Sequence, residues 1–280
     1  MRKELNSHEH HQQRSDFIRR LVQRHTGQHS VDDQYRQVTP RTIVQYWHDV
    51  EQLPRDVGEC VASWINWEVH GFTHWLFDED AAKAFIGSSL GARYLRAFEK
   101  CYHPAMQADY FRLCYLQVEG GLYVDADDVC VGSEIDWLFE DGRLKIQPLC
   151  YDIAAQAMVR PSVFLQANSY DPNWIFYFNN NPLVASRGHP VIERALDLAT
   201  CCLESGEGDN LPEIQETAGP GNLSKSIFNL GSISGRRFDG ALVVLRDWDS
   251  IAVSRWPLSY RDDARNWRLS NQKRFDFNGV

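Results

Sequence analysis

Residues 108–128, ADYFRLCYLQVEGGLYVDADD, constrain the fold more than any other stretch of the chain. Pro104 sits at the first turn of a helical pattern that runs to about Glu119. Gly120-Gly121 stops that helix, because glycine takes up the backbone conformations that end one. Leu122, Tyr123 and Val124 then read as a buried strand that surfaces at Asp125-Ala126-Asp127-Asp128. Three carboxylates at a strand end repel one another, and a bound cation would relieve that repulsion. Oxygen ligands at this density suit Mg²⁺ or Mn²⁺, hard ions held by one or two carboxylates plus substrate phosphates. Asp125 and Asp127 have the spacing that points two side chains the same way from an extended chain.

The flanking pattern says what kind of sheet this strand enters. TIVQYW at 42–47 is β-branched and aromatic and reads as a buried strand. After Pro54, the residues Val57, Val61, Trp64 and Ile65 share a helical face, and Gly71 ends that helix. FTHWLFD at 72–78 is a second strand, and 80–86 a second helix. Strand and helix alternating at this spacing imply an α/β fold, a three-layer sandwich with a mixed, mainly parallel sheet. Further on, LYVDADDVCV reads as one strand running out into the acidic turn, with short strands near 144–148, 162–166 and 182–186 and a helix over 190–203. In open α/β sheets ligands bind beyond the C-terminal ends of the strands, where the acidic turn is expected.

On the preceding helix, Asp109 and Arg112 stand three apart and share a face. Two readings are open. They form an ion pair with each other, or Asp109 accepts hydrogen bonds from substrate hydroxyls while Arg112 offers a planar donor fork.

Composition narrows the partners. With 29 basic against 38 acidic side chains, the net charge of −9 excludes a protein built to neutralise nucleic-acid phosphates. The N-terminus lacks the apolar run of about 7–15 residues that a secretory signal needs, and no run approaches the roughly 20 residues of a transmembrane segment. The seven cysteines include no C-x-x-C pair, and reduced thiols are expected. The expected place of the protein is cytoplasmic, peripheral at the inner membrane, or delivered as an effector. His8, His10, His11, His25 and His29 lie in a polar N-terminal arm, residues 1–38, with no cysteine or carboxylate framework for a metal. Within it Phe17, Ile18, Leu21 and Val22 recur at helical spacing, a short amphipathic helix able to dock on the body or on a partner. Residues 39–280 form the main domain, with the boundary near 38–40.

The stretch A-D-Y-F-R-L-x-Y-L-x-x-x-G-G-L-Y-V-D-A-D resembles the central motif of glycosyltransferase family 32, DXD-containing sugar transferases whose core is similar to that of the clostridial glucosylating toxins. The likeness extends upstream through T-I-V-Q-Y-W, Pro54, Cys60-Val61-Ala62-Ser63-Trp64 and Trp75-Leu76-Phe77-Asp78, and downstream through Asn181-Pro182-Leu183-Val184-Ala185-Ser186 and Gly188-His189-Pro190.

This resemblance implies a GT-A fold and a metal-dependent, retaining transfer from a nucleotide-sugar, a UDP- or GDP-sugar, to a glycan, lipid-linked or protein acceptor. By that likeness Trp47 would stack on the base and Tyr123 would belong to the donor site. Asp109 and Arg112 would contact the donor sugar. Asp125 would reach ribose and sugar hydroxyls, and Asp127 would bind Mn²⁺ or Mg²⁺ with Asp125 beside it. Asn181 would stabilise the sugar near its anomeric carbon, and Asp128 would be a solvated neighbour. Core packing for Trp47 and a simple turn role for Asn181 are the competing readings. Pro190 makes His189 a helix-start residue rather than a catalytic one. Trp64 and Trp75 are expected in the core, with Trp174, Trp248, Trp256 and Trp267 left as possible cleft walls.

Two departures stand out. Thr217-Ala218-Gly219-Pro220 replaces the family's Thr-Gly-Pro, and no histidine follows His189 to supply the C-terminal ligand that relatives commonly carry. Asp247, Asp249 or Ser254 are the replacements at hand. A non-catalytic relative that binds nucleotide-sugars or carbohydrate is the second reading. A two-metal phosphohydrolase is disfavoured for want of a second Asp or His cluster.

Overall fold

A computed structural model of the protein describes residues 2–24, 33–206, 211–234 and 240–276. His25 and His29 lie outside them. Helix α1 (Arg2–Gln23) opens the chain. Its Ile18 and Val22 are fully buried, and Ser15 Oγ accepts the Phe176 N–H at 2.9 Å. The amphipathic spacing read from the sequence therefore packs against the body of the fold.

Strand β1 (Thr42–Tyr46) is joined through α2 (Arg55–Ile65) to β2 (Thr73–Phe77), and the two pair in parallel from Thr42 with Thr73 to Tyr46 with Phe77. The buried face of α2 is Val57, Cys60, Val61 and Trp64, a helical stripe at i, i+3, i+4 and i+7. Asp78 caps α3 (Glu79–Ser89) by accepting from Ala81 N–H at 2.8 Å. Then come α4 (Ala92–Glu99) and α5 (Pro104–Val118). Helix α5 is buried nearly all round, Asp109 and Arg112 included, as a helix enclosed by other layers must be.

Gly120 and Gly121 follow at φ of +72° and +112°, in the region open to glycine. They turn the chain into β3 (Gly121–Tyr123), which pairs in parallel with β1. The expected continuous strand through LYVDADDVCV is interrupted here. Asp128 N–H donates to Asp125 O at 3.1 Å, closing a turn. β4 (Asp128–Cys130) then leaves the main sheet.

β5 (Leu144–Asp152) and β6 (Ala157–Met158) precede α6 (Pro161–Phe164). This helical turn stands where the sequence suggested a strand near 162–166. Proline at its first position presets the backbone, and Leu165 N–H closes onto Pro161 O at 3.0 Å. β7 (Trp174–Ala185) is a twelve-residue strand that absorbs the predicted short strand near 182–186. Three more helices follow, α7 (Pro190–Ser205), α8 (Ile214–Thr217) and α9 (Pro220–Ser234). The chain closes with β8 (Leu242–Val244), β9 (Ala252–Ser254) and α10 (Trp267–Ser270). α1 packs on β7 and α9.

The main sheet is mixed and runs β2-β1-β3-β7-β5-β6, with β8 pairing alongside β5. β1 is parallel to β2 and β3, and β5 to β8, while β7 is antiparallel to β3 and β5. β4 and β9 form a separate two-stranded sheet. Alternate residues of the central strands point to opposite layers. Val44, Tyr46 and Tyr123 enter the larger core with α3, α5 and α7, and Ile43, Leu122 and Val124 enter the smaller one with Trp64, Phe139 and Trp248. The result is the α/β sandwich expected, with the C-terminal ends of β1 and β3 at one rim. Trp64 is fully buried, whereas Trp75 is 53% exposed on edge strand β2 and is not a core residue. All seven cysteines are free. No helix among the described residues is long and apolar enough to cross a membrane.

Candidate functional site

The acidic turn leaves β3 and is pinned from below. Asn181, near the end of β7, accepts the Asp125 N–H on its side-chain oxygen at 2.9 Å and donates its amide N–H to Asp128 Oδ2 at 2.7 Å. Gln45 Nε2 donates to Asp125 O at 3.1 Å, and Trp64 Nε1 donates to Asp128 O at 2.9 Å. Asp128 is thus no solvated neighbour. It is 3% exposed, and burial, with Asp127 and Asp125 close by, pushes its carboxyl well above the usual range.

Arg112 organises the helix side of the site. It is 2% exposed, and its guanidinium reaches Asp125 Oδ1 at 2.9 Å, Asp109 Oδ1 at 2.8 Å and Asn180 O at 2.6 Å, with Nε on Ala108 O at 3.3 Å. Of the two readings of the Asp109–Arg112 pair, the ion pair is present, and it extends to Asp125 at the strand end. Tyr123 lies fully buried with the Arg112 guanidinium 4.3 Å over its ring. It supports Arg112 from within the core and does not line the cleft. Asp109 also accepts from Asn180 Nδ2 at 2.7 Å. Burial pushes Asp109 up to about 6, against the pull of Arg112 and with a push from Asp125. Asp125 is raised as well, first by burial and then by Asp127, with Arg112 opposing.

Asp127 is held from the far end of the chain. Tyr260 O–H donates to its Oδ2 at 2.6 Å, and Arg261 Nη2 pairs with the same oxygen. Arg255 N–H donates to Asp127 O at 3.1 Å. The segment carrying these groups is anchored on α2. Ser259 donates to Asp56 through its N–H at 2.6 Å and its hydroxyl at 3.0 Å, and Arg255 pairs with Glu59 at 2.8 Å. The sequence pointed to Asp247, Asp249 or Ser254 for this side. Ser254 Oγ does touch Arg261, at 3.3 Å, but Tyr260 and Arg261 are the residues that reach Asp127. They carried no signal of their own beyond falling where the family's C-terminal histidine was missing.

These groups open onto one cleft of about 460 Å³. Its walls include Trp47, Asp109, Arg112, Asp125, Asp127 and Asn181, together with Trp248 and Trp267. Trp47 lies at the end of β1 and is 8% exposed. It packs with Val57, Val61 and Ala126, and the Tyr260 ring meets it edge-on at 5.2 Å. Of the other tryptophans left open, Trp174 packs against the larger core and Trp256 is 63% exposed. His189 lies away from the cleft and caps α7, accepting the Val191 N–H on Nδ1 at 3.2 Å.

Three metal-ligating side chains do not converge anywhere among the described residues. Asp125 and Asp127 nevertheless present carboxylates to the same cleft. That donor set fits a hard divalent ion which takes one or two carboxylates and completes its shell with phosphate oxygens and water. Asp125 and Asp127 would hold it.

Residues 54–143 match the family described as "Glycosyltransferase sugar-binding region containing DXD motif". The matched region contains Asp109, Arg112, Asp125 and Asp127. The likeness covers these 90 of the 280 residues. The chain is 23% identical to the initiation-specific alpha-1,6-mannosyltransferase of Schizosaccharomyces pombe, covering 58% of this chain and 42% of that protein. It is 28% identical to an uncharacterized glycosyltransferase, L373, of Acanthamoeba polyphaga mimivirus, over 35% of this chain and 39% of that one. The chain thus spans about two fifths of the curated relatives it matches. Among solved structures, the PaToxG glycosyltransferase overlaps 91% of each chain with a TM-score of 0.46 and 14% identity. Trp47, Asn181, Tyr260 and Arg261 all fall outside the matched region and enter the site through the fold.

Proposed function

We propose that the protein transfers a sugar from a nucleotide-sugar, with a divalent ion and with retention of anomeric configuration, to a glycan, lipid-linked or protein acceptor. The observation that carries this reading is the Asp109–Arg112–Asp125 cluster, with Asn181 beneath it, facing one cleft at the strand end of a DXD-type region. Arg112 fixes the carboxylates of Asp109 and Asp125, so both are oriented before a ligand arrives. Asp109 and Asp125 accept hydrogen bonds from sugar and ribose hydroxyls. Trp47 offers the flat ring at the end of β1 for the base. A divalent ion on Asp127 and Asp125 would stabilise charge developing on the departing diphosphate. In front-face transfer the bond from the anomeric carbon to phosphate breaks as the bond to the acceptor oxygen forms. The acceptor's proton passes to the leaving phosphate oxygen. No protein nucleophile is needed, unlike the paired carboxylates of retaining glycosidases.

A second reading is a non-catalytic nucleotide-sugar or carbohydrate-binding relative. It is favoured by one observation, that Asp127 already has Tyr260 and Arg261 as partners. Calorimetry with UDP and GDP, with and without Mn²⁺, tests the first reading. Mn²⁺ should strengthen nucleotide binding to the wild type, and Asp127→Ala should abolish that gain and any donor turnover. Absence of metal-enhanced binding to the wild type rules out the donor site. Binding with no sugar release or transfer across a donor and acceptor panel selects the second reading. The name of the fission-yeast relative puts a mannosyl donor first in that panel.

A further inference from the structure

The three carboxylates of the acidic turn have three different principal partners. Asp125 is paired with Arg112, whose guanidinium is locked by four separate acceptors inside the core. Asp128 is 3% exposed and its Oδ2 accepts from Asn181. Asp127 is paired with Arg261, which comes from the anchored C-terminal segment. The Arg261 backbone is fixed, with its N–H on Leu258 O at 3.1 Å and its carbonyl accepting from Asn266 Nδ2 at 2.7 Å. Its guanidinium is held more lightly. It contacts Asp127 and Ser254 through one terminal nitrogen and stands 4.5 Å over the exposed ring of Trp256. Arg261 Nε is buried without a hydrogen-bond partner among the described residues.

We propose that Arg261 is the resident cation of the acidic turn, that it yields Asp127 to a divalent ion arriving with a nucleoside diphosphate, and that its freed guanidinium then binds the diphosphate. The proposal rests on the donor-site reading and extends it by naming the group that opposes metal binding. A guanidinium and a hard cation drawn to one carboxylate repel each other, so Arg261 on Asp127 opposes the arriving ion. Displaced from Asp127, a planar donor fork beside the cleft is suited to the oxygens of a diphosphate. Rotation of one long side chain is enough, because the backbone on either side is held by its own hydrogen bonds. Tyr260 also donates its hydroxyl to Asp127 Oδ2, at 2.6 Å.

The proposal makes two predictions of opposite sign for one variant. Arg261→Ala should bind Mn²⁺ alone at least about tenfold tighter than the wild type, and bind UDP or GDP with Mn²⁺ at least about tenfold weaker. Mn²⁺ binding alone is read by the loss of its free electron paramagnetic signal, and diphosphate binding by calorimetry. If both affinities fall, or neither moves, Arg261 only props the fold and the proposal is wrong. Arg261→Lys keeps a compact charge near Asp127 and should shift both quantities in the same directions by less. It serves as the test if the alanine variant does not fold. If the wild type shows no Mn²⁺-enhanced nucleotide binding, the donor-site reading fails. The resident-cation claim is then decided by whether Arg261→Ala gains Mn²⁺ binding on its own.

Discussion

Asn181 grips Asp128 from beneath the acidic turn, donating its amide hydrogen to Oδ2 at 2.7 Å while its carbonyl oxygen receives the Asp125 N–H at 2.9 Å. One side chain thereby sets both ends of the turn that carries Asp127. Asn181 is therefore more than the simple turn residue that its place before Pro182 suggested. It is 9% exposed and bonds the Asp128 carboxylate and the Asp125 backbone.

Asn181→Ala should therefore cost about 3 kcal/mol, since it leaves two buried polar groups without partners. Urea denaturation reads that loss directly. Nucleotide affinity should fall with it, because Asp125 and Asp127 lose their fixed spacing. A variant with an unchanged urea midpoint would show that the turn is held by its other contacts, Gln45 and Trp64.

Asp109 gives the site a pH dependence. Burial raises its carboxyl to about 6, against about 3.9 in an unfolded chain. The folded state therefore binds this proton more tightly than the unfolded state does. The associated stability is present below about pH 4 and is lost as pH rises through about 6. Compared with Asp109→Asn, the wild type should lose about 3 kcal/mol of stability between pH 4 and 7. Donor affinity should move the other way, rising across pH 6 as Asp109 becomes a pure acceptor, and should be flat in the asparagine variant. Parallel stability profiles for the two proteins would remove Asp109 as the titrating group.

Two glycines separate backbone strain from steric contact. Gly121 begins β3 at φ of +112°, and a Cβ there would lie 2.7 Å from Thr42 O on the neighbouring strand. Gly188 has φ of +68° but nothing within 4 Å of its Cβ position. Gly188→Ala should cost about 1 kcal/mol, the left-handed penalty alone. Gly121→Ala should cost at least about 3 kcal/mol, since strain and a backbone clash add. Thermal unfolding of the pair measures the difference. Equal costs would mean that β1 and β3 can separate without penalty.

The parts of this architecture that were legible in the sequence are those whose signals are local. The apolar run of β1, the Pro54 and Pro104 helix starts and the Gly120-Gly121 stop each act over a few residues, and all stand close to where the pattern put them. β7 was only partly legible because Asn179-Asn180-Asn181 interrupts its apolar alternation with residues that usually mark turns. In the fold each amide has a separate tertiary job, Asn179 on Gln147, Asn180 on Asp109 and Asn181 on Asp128. Asp128 was misread for the same reason. Its burial depends on Asn181, more than fifty positions away. Tyr260 and Arg261 were missed because a residue 134 positions from Asp127 leaves no periodic trace of the contact.

His189 supplies a stability switch of opposite sign to Asp109. Its Nδ1 accepts the Val191 N–H at 3.2 Å, and Nε2–H donates to Ala241 O at 3.3 Å. The ring also stacks on Tyr35 at 5.3 Å. That arrangement requires a neutral imidazole, because a proton on Nδ1 would face the Val191 N–H. Burial holds the ring at about 4, against about 6.5 when unfolded. For a base with a lowered folded value, the stability is present above about pH 6.5 and is lost as pH falls through about 4. The loss should approach about 3 kcal/mol. His189→Asn keeps an oxygen able to cap α7 but has nothing to protonate, so its stability should fall less between pH 6.5 and 4. Urea midpoints for both proteins across that window settle the matter. Identical acid slopes would mean that the ring rearranges and accepts the proton without breaking the cap.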